Sequence, residues 1–304
     1  MEETHAATIA KAAARGNLEA MRDMNEQTIT EVVLARLAGA KSARARQIGE
    51  ALVRHLHAFV REVSLTEEEW AAGIDFLTRT GKLCDDKRQE FILLSDALGV
   101  SMLVDAIAHR ASDGATETTV LGPFYVAGRE EMPLGANLAA GAPGVPMIVT
   151  GTVSAVGGGR LAGAEVDVWQ SDGEGFYDVQ RRDDLVLRGQ LRTDAEGRFW
   201  FWSVRPSAYP IPDDGPVGEM LAAQGRHPWR PAHVHFIVRA PGCRPLVTHI
   251  FAEGDEYLES DAVFGVKSSL VRRYEERPPG VAPDGSARAE KYVHMHADFV
   301  LKTE

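Results

Sequence analysis

The chain has 304 residues, of which 44% are hydrophobic and 25% are charged, and its formal net charge at pH 7 is -11. Such a composition is typical of a globular protein with one large or two modest domains. The acidic balance and the lack of a basic run argue against nucleic acid or an anionic membrane as a partner. The sequence has no apolar segment of membrane-spanning length and no signal-peptide pattern at its start. We therefore expect a cytoplasmic protein without membrane insertion, with Cys84 and Cys243 as reduced thiols.

Helical patterns dominate residues 1–115, taken in chain order. Apolar residues recur at helix spacing through 48–63. Thr66 and Glu69 have the spacing of a capping box, which predicts the start of a second helix. A third helical stretch over about 88–111 is apolar around its whole circumference. This pattern is typical of a helix buried on two sides or lining an apolar cavity. We assign residues 1–115 to an N-terminal helical domain.

Patterns typical of strands, separated by Gly, Pro and Asp, follow after Gly114. They predict an antiparallel sandwich over residues 116–304. The run Gly157–Gly159 predicts a hairpin turn rather than a phosphate loop, because no helix pattern follows it. The predicted strands lie at 147–154, 164–170, 197–203, 233–239, 246–252 and 295–302.

Two histidines occupy alternate positions of one predicted strand. His233 and His235 share one face because side chains alternate along a strand, so both can reach one metal ion. The spacing alone is weak evidence, since His294 and His296 repeat it near the C-terminus. Either pair is equally consistent with solvent-facing or hydrogen-bonded histidines. A terminal strand more often caps a sheet than builds a site, so we do not expect His294 and His296 to be ligands.

The first histidine pair is distinguished by two upstream tyrosines in turn-like segments, Tyr177 and Tyr209. A free phenol has a pKa near 10, so tyrosine binds a metal as phenolate only when a strong cation displaces its proton. Zn(II) usually takes Cys, His or carboxylate ligands. Each tyrosine alone predicts only a half-buried aromatic with a hydrated hydroxyl. Two phenols and two imidazoles together favour a hard ion, Fe(III).

Several segments between Val120 and Tyr257, in order and spacing, resemble the intradiol ring-cleaving dioxygenases, the catechol 1,2-dioxygenase family. The N-terminal third resembles that family more loosely. The resemblance implies an α+β protein, with a helical dimerisation domain followed by a mixed β-sandwich catalytic domain. The matching segments are Leu-Gly-Pro-Phe-Tyr-Val-Ala-Gly at 121–128, Val-Asp-Val-Trp-Gln at 166–170, Gly-Phe-Tyr-Asp at 175–178, Leu-Arg-Thr-Asp-Ala-Glu-Gly at 191–197, Arg-Pro-Ala-His-Val-His-Phe at 230–236 and Gly-Asp-Glu-Tyr-Leu at 254–258.

The resemblance also implies roles for individual residues. It assigns one Fe(III) per chain to Tyr177, Tyr209, His233 and His235, with Tyr209 displaced when substrate binds. Arg230 corresponds to the family arginine near the substrate ring, where a fixed positive charge favours developing negative charge. Residues that correspond to substrate-lining positions of the family are Leu83, Asp86, Val120, Gly122, Pro123, Phe124, Ile211, Pro212 and Val263.

Some departures from the catechol-preferring pattern indicate a branch of the family. The runs 81–86 and 254–267 are similar to those of the hydroxyquinol 1,2-dioxygenases, which implies 1,2,4-trihydroxybenzene and O2 as substrates. Asp86 can accept a hydrogen bond from the third ring hydroxyl, although an acid here also suits a helix N-terminus. His249 stands where the family usually has Gln, and it is equally consistent with a hydrogen-bonding partner near the iron ligands and with a satisfied core histidine. Similar enzymes pair through the helical domain and hold a phospholipid in an apolar tunnel, so we expect a homodimer with a lipid site.

Three other functions remain open at this point. A catechol or chlorocatechol 1,2-dioxygenase would perform the same chemistry on another ring. A metal-free β-sandwich binding module would keep the fold and lack one of the four candidate ligands. A zinc hydrolase is disfavoured by the tyrosine-rich set.

Overall fold

The computed structural model describes residues 24–85, 88–109, 114–128, 130–139, 141–181 and 185–304. Two compact units divide the chain, the first ending at Leu77 and the second running from Thr78 to Glu304. Among the described residues the first strand begins at Pro146, and the last helix before it ends at Ala108. The domain boundary near residue 115 stays a prediction.

The first unit is helical, as predicted. It contains α1 (Ile29–Arg36), a 3-10 turn (Leu37–Gly39), α2 (Ala43–Glu62) and most of α3 (Glu67–Lys82). The capping box that starts α3 is confirmed: Thr66 Oγ1 accepts from the Glu69 amide at 3.2 Å, and Glu69 Oε2 accepts from the Thr66 amide at 2.9 Å. Apolar residues of α2 follow the predicted spacing but are about half exposed: Ile48, Leu52, Leu56, Phe59 and Val60.

The predicted single helix over 88–111 is wrong, because the described part forms two helices. These are α4 (Glu90–Ala97) and α5 (Val100–Ala108), bent by 76°. Gly99 between them has φ +72°, a left-handed conformation that ends α4 as a glycine C-cap does. Burial also differs from the prediction: α4 buries Leu93 and Ala97, whereas α5 buries none of its residues. Among the described residues no single helix is long and apolar enough to cross a membrane, and the bent α4–α5 pair passes that test only as a pair.

Besides α4 and α5, the described part of the second unit contains two five-stranded sheets, two two-stranded sheets and the helices α6 (Asp178–Arg181) and α7 (Pro216–Ala223). The strands are β1 (Pro146–Ala155), β2 (Glu165–Gln170), β3 (Arg188–Arg192), β4 (Arg198–Val204), β5 (Tyr209–Pro210), β6 (Trp229–Arg230), β7 (His233–Arg239), β8 (Leu246–Ala252), β9 (Val271–Arg272), β10 (Tyr274–Arg277), β11 (Gly280–Val281), β12 (Ala287–Arg288), β13 (Tyr292–His296) and β14 (Phe299–Leu301). The first sheet has the order β10-β13-β1-β14, with β4 also paired to β1, and the second has the order β3-β2-β7-β8-β9. β1 runs parallel to β13 and β14, and β8 runs parallel to β9, whereas the other pairings within the two sheets are antiparallel. The mixed sandwich that the resemblance implies is therefore confirmed, and the strand patterns alone did not reveal the parallel pairs.

One predicted strand, 295–302, is two strands separated by Ala297 and Asp298. The Asp298 carboxylate accepts from the Thr152 amide at 3.0 Å and thus replaces a ladder partner of β1. β13 pairs with residues 147–150 and β14 with residues 153–155 of β1. The turn predicted at Gly157–Gly159 is confirmed, since the Ala155 amide donates to the Gly159 carbonyl at 2.9 Å.

The main hydrophobic core lies between the two sheets. Phe236 of β7 contacts Phe299 of β14 and Phe199 of β4, with ring centroids 4.8 and 6.2 Å apart. Because side chains alternate, Val234, Phe236 and Val238 face this core, and the intervening positions of β7 face the opposite side. His233 and His235 therefore lie on the outer face of the second sheet.

Candidate metal centre

A row of three rings crosses the outer face of the second sheet. The strand register aligns Trp169 of β2, His235 of β7 and His249 of β8. Trp169 stacks on His235 with centroids 4.6 Å apart, and His249 meets His235 edge-on at 4.1 Å. The stacked indole and the sheet thereby fix the orientation of the His235 ring.

Two loops bring the tyrosines over this row. Tyr177 immediately precedes α6, and Tyr209 lies in β5, where it pairs with Arg230 of β6. Gly175 has φ +87°, and a Cβ there would meet the Ala208 carbonyl oxygen at 2.7 Å. Only glycine allows the two tyrosine-bearing segments to approach this closely. The tyrosine rings lie 5.1 Å apart, edge to face.

Tyr177, His233 and His235 direct their polar atoms at one another. The Tyr177 hydroxyl is 2.8 Å from Nε2 of His235 and 3.5 Å from Nε2 of His233, and the two Nε2 atoms are 3.1 Å apart. Tyr209 completes the group, its ring 5.5 Å from that of His233. All four side chains are at most 2% exposed. The structure thus brings together the four residues named from the sequence.

Burial and positive charge keep the imidazoles neutral. Burial, and then Arg230, lower the pKa of His233 to about 3. Burial, followed by neighbouring imidazoles and Arg230, also lowers the pKa of His235 and of His249 well below the ordinary value. His233 Nδ1 lies 2.6 Å from the Pro231 carbonyl, which can only accept, so the proton sits on Nδ1. Nε2 of His233 therefore points its lone pair at the cluster.

The donor set fits a transition-metal ion. Burial, and then Tyr209, raise the pKa of Tyr177 well above its ordinary value, so its proton leaves only if a strong cation replaces it. Three donor atoms separated by 2.8–3.5 Å match the roughly 3 Å spacing of ligands about 2.1 Å from one ion. In the described part of the chain, His233, His235 and His249 are also grouped closely enough to hold a metal, their candidate ligand atoms lying within 4.8 Å.

Arg230 is the positive charge of the site. Its Nη1 lies 3.4 Å from the Tyr209 hydroxyl and 3.4 Å from His233 Nε2. Burial by itself lowers the pKa of Arg230. The neighbouring Asp261 and the two tyrosines outweigh this effect, so the pKa of Arg230 lies above its ordinary value. The guanidinium therefore remains charged although it is only 2% exposed. The salt-bridge partner Asp261 was missed from the sequence.

Several predicted substrate-lining residues pack around the tyrosines. Ile211 and Val263 belong to the same buried cluster as Tyr177 and Tyr209, with Phe124 packed against it. The Phe124 ring stacks on Tyr177 at 4.4 Å. These side chains form an apolar wall beside the polar cluster.

The remaining predicted lining residues are less uniformly placed. A Cβ on Gly122 would lie 3.2 Å from Cε1 of His235, and the Val120 backbone hydrogen bonds with His249. Pro123 is exposed and Pro212 half-buried. Leu83, half-buried, lies against Gly215. Asp86 lies outside the described residues.

The second His-x-His pair lies on the other sheet. His294 Nε2 and His296 Nδ1 are 2.8 and 2.9 Å from the Thr150 hydroxyl, and His296 Nε2 is 3.3 Å from Asp298. Both rings therefore have local hydrogen-bonding partners on β13 and its neighbours.

A second buried ion pair was also missed from the sequence. Asp178 and Arg188 form a salt bridge with side chains at most 3% exposed, and Arg188 donates to the Phe124 carbonyl at 3.0 Å. Asp178 directly follows the candidate ligand Tyr177 in the Gly-Phe-Tyr-Asp segment. This adjacency is the feature of the sequence that could have marked Asp178 as part of the site. The pair links β3 to the segments that carry Tyr177 and Phe124.

Comparison with known proteins identifies the family. Residues 120–303 match the family described as "Dioxygenase", and residues 42–116 match "Catechol dioxygenase N terminus". A 6-chlorohydroxyquinol 1,2-dioxygenase of Cupriavidus pinatubonensis is 55% identical, covering 83% of this chain and 92% of its own. A hydroxyquinol 1,2-dioxygenase of Nocardioides simplex is 49% identical over 93% of this chain and 98% of its own.

A solved structure agrees with these relatives. The hydroxyquinol 1,2-dioxygenase of Pseudomonas putida has a TM-score of 0.86 to this chain at 50% identity, covering 92% of this chain and 99% of its own. These matches agree with the fold, in which helices precede a sandwich of mixed sheets. They also agree with the buried tyrosine–histidine cluster. The chain belongs to the intradiol ring-cleaving dioxygenases.

Proposed function

We propose that this enzyme cleaves hydroxyquinol with O2 between two adjacent hydroxyl-bearing carbons, giving maleylacetate in its enol form. The observation that carries the proposal is the buried cluster of two phenols and two neutral imidazoles beside a charged arginine. Enzymes of this family depend on non-haem iron. The substrate follows from relatives near 50% identity whose names specify hydroxyquinol or its 6-chloro derivative.

The proposed centre holds one Fe(III) per chain through Tyr177, Tyr209, His233 and His235. The two imidazoles offer neutral nitrogen lone pairs, and the two phenols offer oxygen donors that neutralise a trivalent charge once deprotonated. When bound, the ferric ion supplies Lewis acidity that holds the catecholic oxygens and draws charge from the ring. A metal-free binding module would not need all four donors, and a zinc site would not favour phenolates.

Tyr209 is the proposed proton acceptor for a substrate hydroxyl. Its hydroxyl oxygen lies 3.4 Å from Nη1 of Arg230, whereas Tyr177 hydrogen bonds with His235 at 2.8 Å. Tyr209 is thus held less closely within the cluster and is the phenol that we expect to move. Its oxygen takes the substrate proton and keeps it beside the guanidinium, which stabilises negative charge on the ring.

His249 is proposed to orient Arg230. Its Nδ1 is 3.4 Å from Nη2 of Arg230, and its ring stacks on His233 at 4.8 Å. This hydrogen-bonding role suits the position where related enzymes usually have Gln.

Phe124, Ile211 and Val263 are proposed to hold the ring and exclude water. Asp86 is proposed to accept a hydrogen bond from the third hydroxyl, which catechol lacks. A site built to bond a substrate hydroxyl rejects the analogue without it strongly.

Steady-state rates on hydroxyquinol, 6-chlorohydroxyquinol and catechol test the substrate. We expect kcat/KM for hydroxyquinol to exceed that for catechol by about a hundredfold or more. Asp86→Ala should reduce this ratio by slowing hydroxyquinol cleavage. The matched control is Asp85→Ala, which removes a neighbouring acid whose carboxylate accepts from the Arg88 amide at 2.7 Å. Equal wild-type rates on catechol and hydroxyquinol would favour the catechol dioxygenase alternative. An equal effect of both substitutions would mean that Asp86 acts only at the helix start.

A homodimer formed through the helical region, with a phospholipid in an apolar tunnel there, completes the proposal. The proposal is supported by exposed apolar side chains on the helices. Leu103 and Val104 of α5 are each 60% exposed, and most of the apolar residues of α2 between Ile48 and Val60 are about half exposed. Exposed apolar patches of this kind mark interfaces, and two-fold dimers are the commonest way to cover them.

A further inference from the structure

Arg230 is held far more closely by one side chain than by the others. Its contacts with Tyr209, His233 and His249 are all 3.4 Å long. Asp261 accepts from Nε at 2.9 Å and from Nη2 at 3.2 Å, a two-pronged contact. Charge-assisted pairs of this form fix the plane of a guanidinium as well as its position. Nη1, the nitrogen nearest the tyrosine and histidine, is left free of the carboxylate.

The carboxylate of Asp261 is itself fixed by the turn that follows it. Oδ1 accepts from the Val263 amide at 3.3 Å, and Oδ2 accepts from the Gly265 amide at 2.9 Å. The turn closes through the Phe264 amide, which donates to the Asp261 carbonyl at 3.0 Å. The Ala262 amide donates to the Trp229 carbonyl at 3.1 Å, next to Arg230 in sequence.

The same turn presents a wall of the proposed substrate pocket. Val263 is 2% exposed and packs in the cluster that contains both tyrosines. The carboxylate of Asp261 therefore joins two parts of the site: the backbone that places Val263 and the guanidinium that lies beside Tyr209. A Cβ on Gly265 would approach Arg230 Nη2 at 2.9 Å and Asp261 Oδ2 at 3.1 Å, so a larger residue there would displace the guanidinium or the carboxylate.

We infer that Asp261 is a positioning residue, whose carboxylate aims Nη1 of Arg230 at the tyrosine–histidine cluster and couples that aim to the 261–265 turn. Asp261 does not touch the proposed substrate and acts through Arg230. The inference rests on the proposed role of Arg230 in catalysis.

A double-mutant cycle tests the inference on the iron-loaded full-length enzyme. Asp261→Asn keeps the shape but removes the charge, and Arg230→Gln removes the guanidinium. We expect Asp261→Asn to lower kcat for hydroxyquinol by about tenfold to a hundredfold, as small misplacements of catalytic groups do. In the Arg230→Gln background the same substitution should lower kcat by less than about twofold. The effects of residues that act as a unit are not additive, so once the guanidinium is gone the carboxylate has nothing left to position. Losses that multiply in the double variant would overturn the inference.

Two measurements without turnover separate positioning from damage to the fold. Iron content and melting temperature establish that each variant is intact. Anaerobic titration with hydroxyquinol gives the Kd without cleavage, and we expect it to change much less than kcat. A second readout is the visible phenolate-to-iron band. Because Asp261 acts through Arg230, Asp261→Asn should shift this band in the same direction as Arg230→Gln and should add no shift in the Arg230→Gln background. Opposite shifts in the two single variants, or a further shift in the double variant, would contradict the inference, because either would show that the Asp261 charge acts on the cluster directly.

Gly265→Ala provides a second route if Asp261→Asn does not fold. The added methyl group wedges against the ion pair without changing any charge, and Gly159→Ala, with no atom within 4 Å of its Cβ, is the matched control. Gly265→Ala should lower kcat while Gly159→Ala leaves it unchanged. Wild-type kcat in Gly265→Ala would overturn the inference. If Arg230→Gln alone leaves kcat unchanged, the proposed role of Arg230 fails instead, whatever the Asp261 variants do.

Discussion

The two histidines of the candidate metal centre are held in place by contacts with neighbouring residues of the second sheet and of the segment before β7. His233 is oriented by the Pro231 carbonyl, and His235 is clamped between Trp169 and His249. The hydrogen bond fixes which nitrogen of His233 points inward, and the ring contacts fix the plane of His235, before any ion binds. Preorganisation of this kind reduces the cost of assembling four ligands around one metal.

Replacing one of the clustered histidines should release the metal. We expect His233→Ala to abolish iron binding and the visible absorption band, because it removes one of four donors and leaves a cavity at the cluster. His296→Ala is the matched control, since it removes the second histidine of the other His-x-His pair, whose ring hydrogen bonds with Thr150. Metal analysis of both purified variants gives the answer. Stoichiometric iron in His233→Ala, or iron lost from His296→Ala, would contradict the assignment.

The histidines and tyrosines could be selected from the sequence because they lie in short segments with local patterns. The alternation of β7 places His233 and His235 on one face without knowledge of the rest of the fold. Asp261 could not be selected in this way. Its partner Arg230 lies 31 residues earlier, and only the folding of the 261–265 turn against β6 brings the charges together. A long-range ion pair leaves no periodic pattern in the chain.

Two element breaks were missed, each with a local cause. The predicted helix over 88–111 bends at Gly99, which adopts a left-handed conformation that an apolar pattern does not reveal. The predicted strand over 295–302 breaks where Asp298 bonds to Thr152 of β1, a partner almost 150 residues away. Central strands such as β7 and β8 were predicted with the correct bounds because both have continuous β-branched and aromatic runs.

The break between β13 and β14 packs against Gly151, a residue of β1 without a side chain. A Cβ on Gly151 would lie 1.9 Å from the Ala297 carbonyl oxygen and 2.6 Å from the Phe199 ring. Gly151→Ala should therefore lower the free energy of unfolding by about 3 kcal/mol, since both the backbone between β13 and β14 and the core would have to shift. Denaturant unfolding compares it with Gly159→Ala, which we expect to change stability little. Equal stability of the two variants would show that the β1–β14 contact is looser than described.

At the scale of the whole molecule, exposed apolar surface on the helices supports the proposed dimer, whereas the net charge opposes association. The charge of -11 disfavours non-specific association. The exposed apolar residues of α2 and α5 therefore call for a particular partner, and a second copy of the chain is the proposed one.

Light scattering on the full chain tests the proposed dimer. We expect the wild type to be dimeric at micromolar concentration and Leu103→Glu to shift it toward monomer, because a charge would be buried in an apolar contact. Val281→Glu is the matched control, since Val281 is 75% exposed and lies in β11, outside the helical region. A monomeric wild type would refute the dimer. Dissociation by Val281→Glu as well would place the interface elsewhere. Lipid extraction followed by mass spectrometry tests the tunnel independently.

Product analysis tests the central claim most directly. Iron-loaded wild-type protein is mixed with hydroxyquinol under isotopically labelled O2, and the product is identified by mass spectrometry and NMR. We predict maleylacetate carrying labelled oxygen, with the ring opened between the two adjacent hydroxyl-bearing carbons. A ring opened beside those carbons instead, or a quinone formed without ring opening, would contradict intradiol cleavage by this centre.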